Sequence, residues 1–145
     1  MYKKILLAYD GSESGQKALL DCNEIAQWSQ AELTLIAVMP LPLSAIGPEG
    51  GMYDPEQERL DKERYQQVLD VGVRKLAESG LVASGEVVTG DPVNEINDCA
   101  RRIGANLIVV GHKHLDGWAA RWWRGSVSRS LIDGAPCSVL IVTTR

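Results

Sequence analysis

The residues that could do chemistry lie in two stretches of this sequence. The first is the turn Asp10-Gly11-Ser12, which places a carboxylate and a hydroxyl beside a glycine. The second begins with Gly111-His112-Lys113-His114 and ends with Gly125-Ser126-Val127-Ser128. A helix that starts at such a serine leaves backbone N–H groups free at the positive end of its dipole. This stretch therefore predicts a site for a phosphate or another small anion.

Each of these groups also has a purely structural interpretation, which the sequence leaves open. Ser126 could cap only its own helix, and Asp10 could satisfy N–H groups of its own turn. His112 and His114 are metal-ligand types, but no further ligand stands at useful spacing, so we predict no metal site. No Ser-His-Asp order, nucleophile elbow or complete P-loop is present, so we predict no catalytic constellation.

Segment 111–129 is basic within a chain that is acidic overall. The chain has 19 acidic and 15 basic side chains, a net charge of −4, so a nucleic-acid partner is not expected. Against the single acid Asp116, the segment holds four cations: Lys113, Arg121, Arg124 and Arg129. This local positive field would attract an anion. Three nearby indole rings could pack under the loop, join a partner surface or stack on a base: Trp118, Trp122 and Trp123.

The elements that must position these stretches follow from apolar periodicity and helix-start signals. Five strands are predicted, at residues 5–9, 33–38, 85–89, 107–110 and 138–143. Four helices are predicted between them, with starts at Ser12, Glu56, Asp91 and Ser126. This alternation predicts one α/β domain over residues 1–145, with a parallel sheet covered by helices on both faces. Residues 41–55, rich in proline and glycine, are expected to form a mobile loop.

Composition argues against several other classes of protein. Cys22, Cys99 and Cys137 are odd in number and widely spaced, so they indicate neither a disulfide framework nor a zinc site. We expect them to be small buried residues. The apolar runs are much shorter than a bilayer span and no signal-peptide pattern is seen, so no membrane association is expected. We therefore expect a cytoplasmic protein.

Three stretches, taken together and in this order, resemble the universal stress protein family. They are Ile5-Leu-Leu-Ala-Tyr-Asp10-Gly-Ser12, then Gly90-Asp-Pro-Val-Asn-Glu-Ile96 with Ala105-Asn-Leu-Ile-Val-Val-Gly111, then Gly125-Ser-Val-Ser128 with Ala135-Pro-Cys-Ser-Val-Leu-Ile-Val142. The resemblance implies a doubly wound, Rossmann-like sheet of the adenine nucleotide alpha hydrolase-like type, with strand order 3-2-1-4-5. It also implies a homodimer formed through the last strand, whose apolar residues 139–142 would otherwise leave an open sheet edge.

The family's nucleotide-binding branch carries the pattern Gly-x2-Gly-x9-Gly-Ser/Thr after the fourth strand. Gly111 matches the first glycine, and Gly125-Ser126 matches the last pair. His114 stands where the middle glycine belongs, and ten residues, rather than nine, separate it from Gly125. The histidines followed by Trp118 also resemble the branch that lacks nucleotide binding. We therefore expect ATP binding to be weakened.

The resemblance places the ligand in the crevice between strands one and four. It implies that Asp10 meets a ribose hydroxyl or a metal on the phosphates, and that the backbone of Val38 meets adenine. The full set of predicted binding residues is Asp10, Gly11, Val38, Gly111, His112, Lys113, His114, Gly125, Ser126, Val127 and Ser128. The expected ligand is ATP or another adenine nucleotide, with Mg²⁺, or a chloride, phosphate or sulfate ion at the Ser126 helix start.

The expected function is that of a stress-response sensor or regulator. One alternative is a stress protein that binds no nucleotide and acts through its dimer and partner surfaces, with protein partners that the sequence does not identify. Another is a weak ATPase, which would need magnesium-dependent turnover that is lost on Asp10→Ala.

Overall fold

The computed structural model describes residues 2–40, 54–113 and 125–144, with side chains at 2–40, 54–111 and 130–143. In these ranges strands and helices alternate as predicted: β1 Lys4–Ala8, α1 Glu13–Ser29, β2 Glu32–Met39, α2 Pro55–Glu78, β3 Ala83–Thr89, α3 Pro92–Ile103, β4 Leu107–Lys113, α4 Gly125–Gly134 and β5 Ser138–Thr144. Most of the loop predicted at 41–55 lies outside the described residues, and α2 already begins at Pro55.

The helix starts follow local capping chemistry. The hydroxyl of Ser12 accepts a hydrogen bond of 3.1 Å from the Gly15 N–H at the start of α1. The carboxylate of Asp91 accepts one of 3.0 Å from the Asn94 N–H at the start of α3. Gly104 ends α3 with φ of 70°, a left-handed conformation that glycine adopts without strain. The predicted caps at Ser12 and Asp91 are confirmed.

The five strands form one parallel sheet in the order β3-β2-β1-β4-β5. Ala8, the last residue of β1, lies between Ile36 of β2 and Val110 of β4. Both neighbours continue beyond this point, because β2 pairs with β3 as far as Met39 and β4 pairs with β5 as far as Lys113. The strand order implied by the family resemblance is confirmed.

The helices cover both faces of the sheet. α1 and α2 pack on one face, where Leu19, Leu69 and Leu76 join a buried cluster with side chains of β1, β2 and β4. α3 and α4 pack on the other face, where Ile96 and Leu131 join a second cluster.

Cys22 and Cys99 are buried, as predicted, and Cys137 is half-buried. Among the described helices, none is long and apolar enough to cross a membrane.

Candidate functional site

The crevice lies beyond the carboxyl end of β1, between the longer strands β2 and β4. From β1 the chain passes through α1 to β2, whereas from β4 it passes through α4 to β5, on the opposite side of β1. Connections that diverge from adjacent strands leave a gap at the carboxyl edge of an open α/β sheet, and ligands bind in such gaps. The sheet order therefore creates the predicted crevice between strands one and four.

Asp10 is held in place by its own turn. Its Oδ1 accepts hydrogen bonds from the Ser12 N–H at 2.9 Å and from the Ser12 hydroxyl at 2.5 Å. The Ser12 hydroxyl oxygen also lies 3.1 Å from the hydroxyl oxygen of Ser14. A Cβ on Gly15 would lie 2.7 Å from the same Oδ1, so this glycine makes room for the carboxylate. Both interpretations of Asp10 remain compatible with this geometry, since only Oδ1 is engaged in the turn.

Gly11 occupies a position that strongly favours glycine. Its φ is 78°, and a Cβ there would lie 3.0 Å from Cγ1 of Val68 on α2. The left-handed backbone favours glycine, and a side chain here would have to displace the Val68 side chain by a few tenths of an ångström. The β1–α1 turn is therefore packed against α2 as well as placed at the edge of the crevice.

Val38 presents its backbone, and not its side chain, to the crevice. The side chain is buried in the cluster under α3 and α4. The Ile36 carbonyl accepts the Tyr9 N–H at 2.9 Å on the β1 side, whereas the Met39 carbonyl accepts the Gly90 N–H at 3.0 Å on the β3 side. Backbone polar groups alternate sides along a strand, so the N–H and C=O of Val38 point toward the β1 side, just beyond the end of that strand.

Gly111 is a packing residue in this structure. We predicted that β4 would end at Val110, but this prediction is wrong, because β4 continues to Lys113 through its pairing with β5. A Cβ on Gly111 would lie 2.5 Å from the Ser14 carbonyl oxygen. The first turn of α1 therefore rests directly on the glycine backbone.

The remaining residues of the Gly111–His114 motif fall partly inside the sheet. The backbones of His112 and Lys113 belong to β4, opposite Thr143 and Thr144 of β5, and not to a loop as predicted. His114 lies outside the described residues, as do Trp118, Trp122 and Trp123.

The amino terminus of α4 supplies the candidate anion donors. The helix begins at Gly125, so Ser126 lies in the first turn and not at the predicted cap position. The helix dipole and the backbone N–H groups of this turn are the features that bind anions at helix starts. Gly125, Ser126, Val127 and Ser128 all belong to this turn.

Two tyrosines lie on the α2 side of the site. Tyr9 is buried, and its hydroxyl accepts a hydrogen bond of 2.6 Å from Gln16 Nε2. Burial, followed by the charge of Asp10, raises the pKa of Tyr9. Tyr65 is half-buried, and burial, with the charges of Asp10 and Asp61, raises its pKa as well. Both phenols are therefore neutral at physiological pH. Tyr65 is not among the residues that the sequence assigned to the site.

Outside the crevice, the described residues form a notable groove and no metal cluster. In the described ranges no group of three or more His, Cys, Asp or Glu side chains could hold a metal ion. An open groove of about 430 Å³ lies between α3 and α4 and is lined by Asn97, Arg101 and Asp133, among others. None of its lining residues is a predicted site residue.

Comparison with known proteins gives one consistent result. A family model described as "Universal stress protein family" matches residues 1–143. The universal stress protein YxiE of Bacillus subtilis is 33% identical over 149 aligned positions, which cover 98% of this chain and 99% of that protein. A solved structure from the universal stress protein family of Burkholderia pseudomallei has a TM-score of 0.76 at 28% identity, covering 97% of this chain and 96% of the other. A universal stress protein solved in complex with cAMP has a TM-score of 0.70 at 25% identity, covering 99% and 98%.

Proposed function

This chain belongs to the universal stress protein family, and from that premise we propose that it binds an adenine nucleotide, or a smaller anion, in the crevice between β1 and β4. It acts as a cytoplasmic stress-response sensor or regulator, and ligand occupancy is the signal. The observation that carries the proposal is the convergence of the Val38 backbone and the Asp10 turn on the space beyond β1. The related protein solved with cAMP supports an adenine nucleotide as the ligand.

The residues divide into a base end and a phosphate end. The backbone N–H and C=O of Val38 form a donor–acceptor pair of the kind that an adenine edge requires. Asp10, whose Oδ1 is held by Ser12, would offer Oδ2 to a ribose hydroxyl or to Mg²⁺ carried by the phosphates. The first turn of α4 would bind the phosphate.

We further propose that nucleotide triphosphates bind more weakly here than the family pattern allows. A triphosphate needs both walls of the β4–α4 connection, and His114 replaces the glycine that would let one wall approach. One lost charge-assisted hydrogen bond lowers affinity by about tenfold to more than a hundredfold. A single phosphate needs only the α4 donors and a cation of the same basic segment, such as Lys113, so its binding is retained.

Calorimetry with ATP, AMP and inorganic phosphate tests this proposal. Ser126→Pro removes one backbone N–H of the first turn, where proline is tolerated, and Ser126→Ala is the matched control that keeps this N–H. We expect Ser126→Pro to weaken binding of phosphate and AMP about tenfold and Ser126→Ala to leave it almost unchanged. His114→Gly should strengthen ATP binding. A wild-type protein that binds none of the three ligands would overturn the proposal, and tight ATP binding by the wild type would overturn the weakened-site argument.

A second candidate function is action through dimer and partner surfaces without a nucleotide. The observation that favours it is β5, which forms an edge of the sheet with half-buried Val139, Leu140 and Ile141. An apolar edge strand is a template for pairing with a second copy. Mass spectrometry of small molecules released from purified, denatured protein separates the two functions, since only a nucleotide-binding protein should release an adenine compound.

A further inference from the structure

One face of α2 packs against the residues that come directly after β1, Tyr9 and Gly11. A Cβ on Gly72 would lie 2.8 Å from Cε1 of Tyr9, so the helix backbone rests on that ring. About one turn nearer the amino terminus, Val68 lies against Gly11. A Cβ on Gly11 would lie 3.0 Å from Cγ1 of Val68. Residues separated by three or four positions share a helix face. The next residue of this face toward the amino terminus is Tyr65.

The amino-terminal half of α2 extends beyond the carboxyl edge of the sheet. The helix has 24 residues, which corresponds to about 36 Å, whereas the eight residues of β2 span about 26 Å. Its fully buried residues, Leu69, Gly72 and Leu76, all lie in the carboxyl-terminal half. Tyr65 stands where the helix leaves the core, half-buried and packed against the cluster under α1 and α2.

We infer that Tyr65 forms the α2 wall of the crevice and contacts the base of a bound nucleotide, so that the site prefers base-containing ligands to bare phosphates. This inference rests on the proposed function. The backbone of Val38 reaches the same space from β2, in the plane of the sheet, where it can meet the edge of a base. Tyr65 approaches from the face covered by α2, where an aromatic ring can pack against the base. Stacking of this kind accepts any base, because every base has a π-face.

The charges around Tyr65 fit this role. Asp10 and Asp61 are the acidic groups that act on its phenol, and Arg64 is the opposing cation. The charges of these carboxylates disfavour a phosphate beside the ring, since like charges repel. The phosphate is thereby directed to the α4 end of the crevice, and the base to the α2 end.

The test compares AMP with ribose 5-phosphate, which has the same sugar phosphate without the base. Calorimetry on the wild type should show tighter binding of AMP. Tyr65→Leu keeps apolar volume and removes the aromatic face, and it should weaken AMP binding about tenfold to a hundredfold while leaving ribose 5-phosphate unchanged. Tyr65→Phe should retain AMP binding within a fewfold. Tyr2→Leu, a change at an exposed tyrosine, is the matched control and should alter neither ligand.

The outcomes separate this inference from the proposed function. Equal weakening of both ligands by Tyr65→Leu would make Tyr65 a structural residue and overturn the inference, as would unchanged AMP binding. A wild type that binds ribose 5-phosphate as tightly as AMP would also overturn it, while the anion site would stand. A wild type that binds neither ligand and no phosphate would overturn both proposals. NMR supplies a second readout, because the Tyr65 ring signals should shift with AMP and not with ribose 5-phosphate.

Discussion

At the scale of single residues, the close contact between Gly111 and α1 predicts that Gly111 is needed for packing. Gly111→Ala would place a Cβ 2.5 Å from the Ser14 carbonyl oxygen, and a backbone atom in a helix cannot move away cheaply. We expect the free energy of unfolding to fall by about 3 kcal/mol or more, as measured by urea denaturation. Gly80→Asn is the control, because nothing lies within 4 Å of its added Cβ and asparagine tolerates its φ of 85°. A fully stable Gly111→Ala protein would contradict the packing role.

Asn97 and Gly134 form a second residue-scale contact, between α3 and α4. Asn97 is buried, its Oδ1 has no hydrogen-bond partner among the described residues, and a Cβ on Gly134 would lie 2.9 Å from its Nδ2. We expect Gly134→Ala to lower the free energy of unfolding by about 1 to 3 kcal/mol in the wild type. In an Asn97→Ala background this clash is absent, so the loss of stability should disappear. Alanine also has a higher helix propensity than glycine, by up to about 1 kcal/mol. Equal effects in both backgrounds would exclude the contact as the cause.

At the scale of elements, Glu86 ties β3 to α3. Its carboxylate forms an ion pair with Arg102 and accepts a hydrogen bond of 3.2 Å from the Cys99 thiol. The hydrogen bond from Arg102 is the main reason that the pKa of Glu86 is lowered. A carboxyl group whose pKa is lowered on folding stabilises the fold above its unfolded pKa, and this stabilisation is lost as pH falls through the folded pKa.

We therefore expect Glu86→Gln to reduce stability at neutral pH and to have no effect in acid. The loss at pH 7 should be only about 0.5 to 1 kcal/mol, since solvent screens this partly exposed pair. Urea denaturation from pH 7 down to below the lowered pKa of Glu86 measures it, because the effect disappears only there. Glu24→Gln, at an exposed position of α1, serves as control and should show neither effect. A deficit that persists after Glu86 is protonated would assign the effect to packing.

At the scale of the whole molecule, the apolar edge strand β5 predicts pairing with a second copy of the chain. We expect a dimer of twice the 15.8 kDa chain mass in light scattering at tens of micromolar, a concentration at which interfaces of ordinary affinity are occupied. Ile141→Lys should shift the protein toward monomer, because it would place a charge at the apolar edge. Circular dichroism checks that the variant stays folded, since Ile141 also packs against the cluster under α3 and α4. Val82→Lys, at an exposed apolar residue outside β5, should leave the mass unchanged. A wild-type monomer would contradict the prediction.

The sequence alone determined the features that depend on neighbours within a few positions. Ser12 and Asp91 could be identified as helix starts because the cap side chain bonds a backbone N–H three residues away. The alternation of strands and helices followed from periodicity for the same reason. The strand order came from the family resemblance, since local pattern carries no information about which strands pair.

Features that depend on residues far apart in the chain were set by tertiary packing. β4 continued through Gly111 because β5 pairs with it and α1 packs on it, although local propensity marks glycine as a strand end. The direction of the Val38 backbone depended on hydrogen bonds made by β1 and β3. The position of Tyr65 relative to the crevice depended on the packing of α2 against Gly11. Such contacts join segments tens of residues apart, so their geometry is set by packing of the whole domain and not by local spacing.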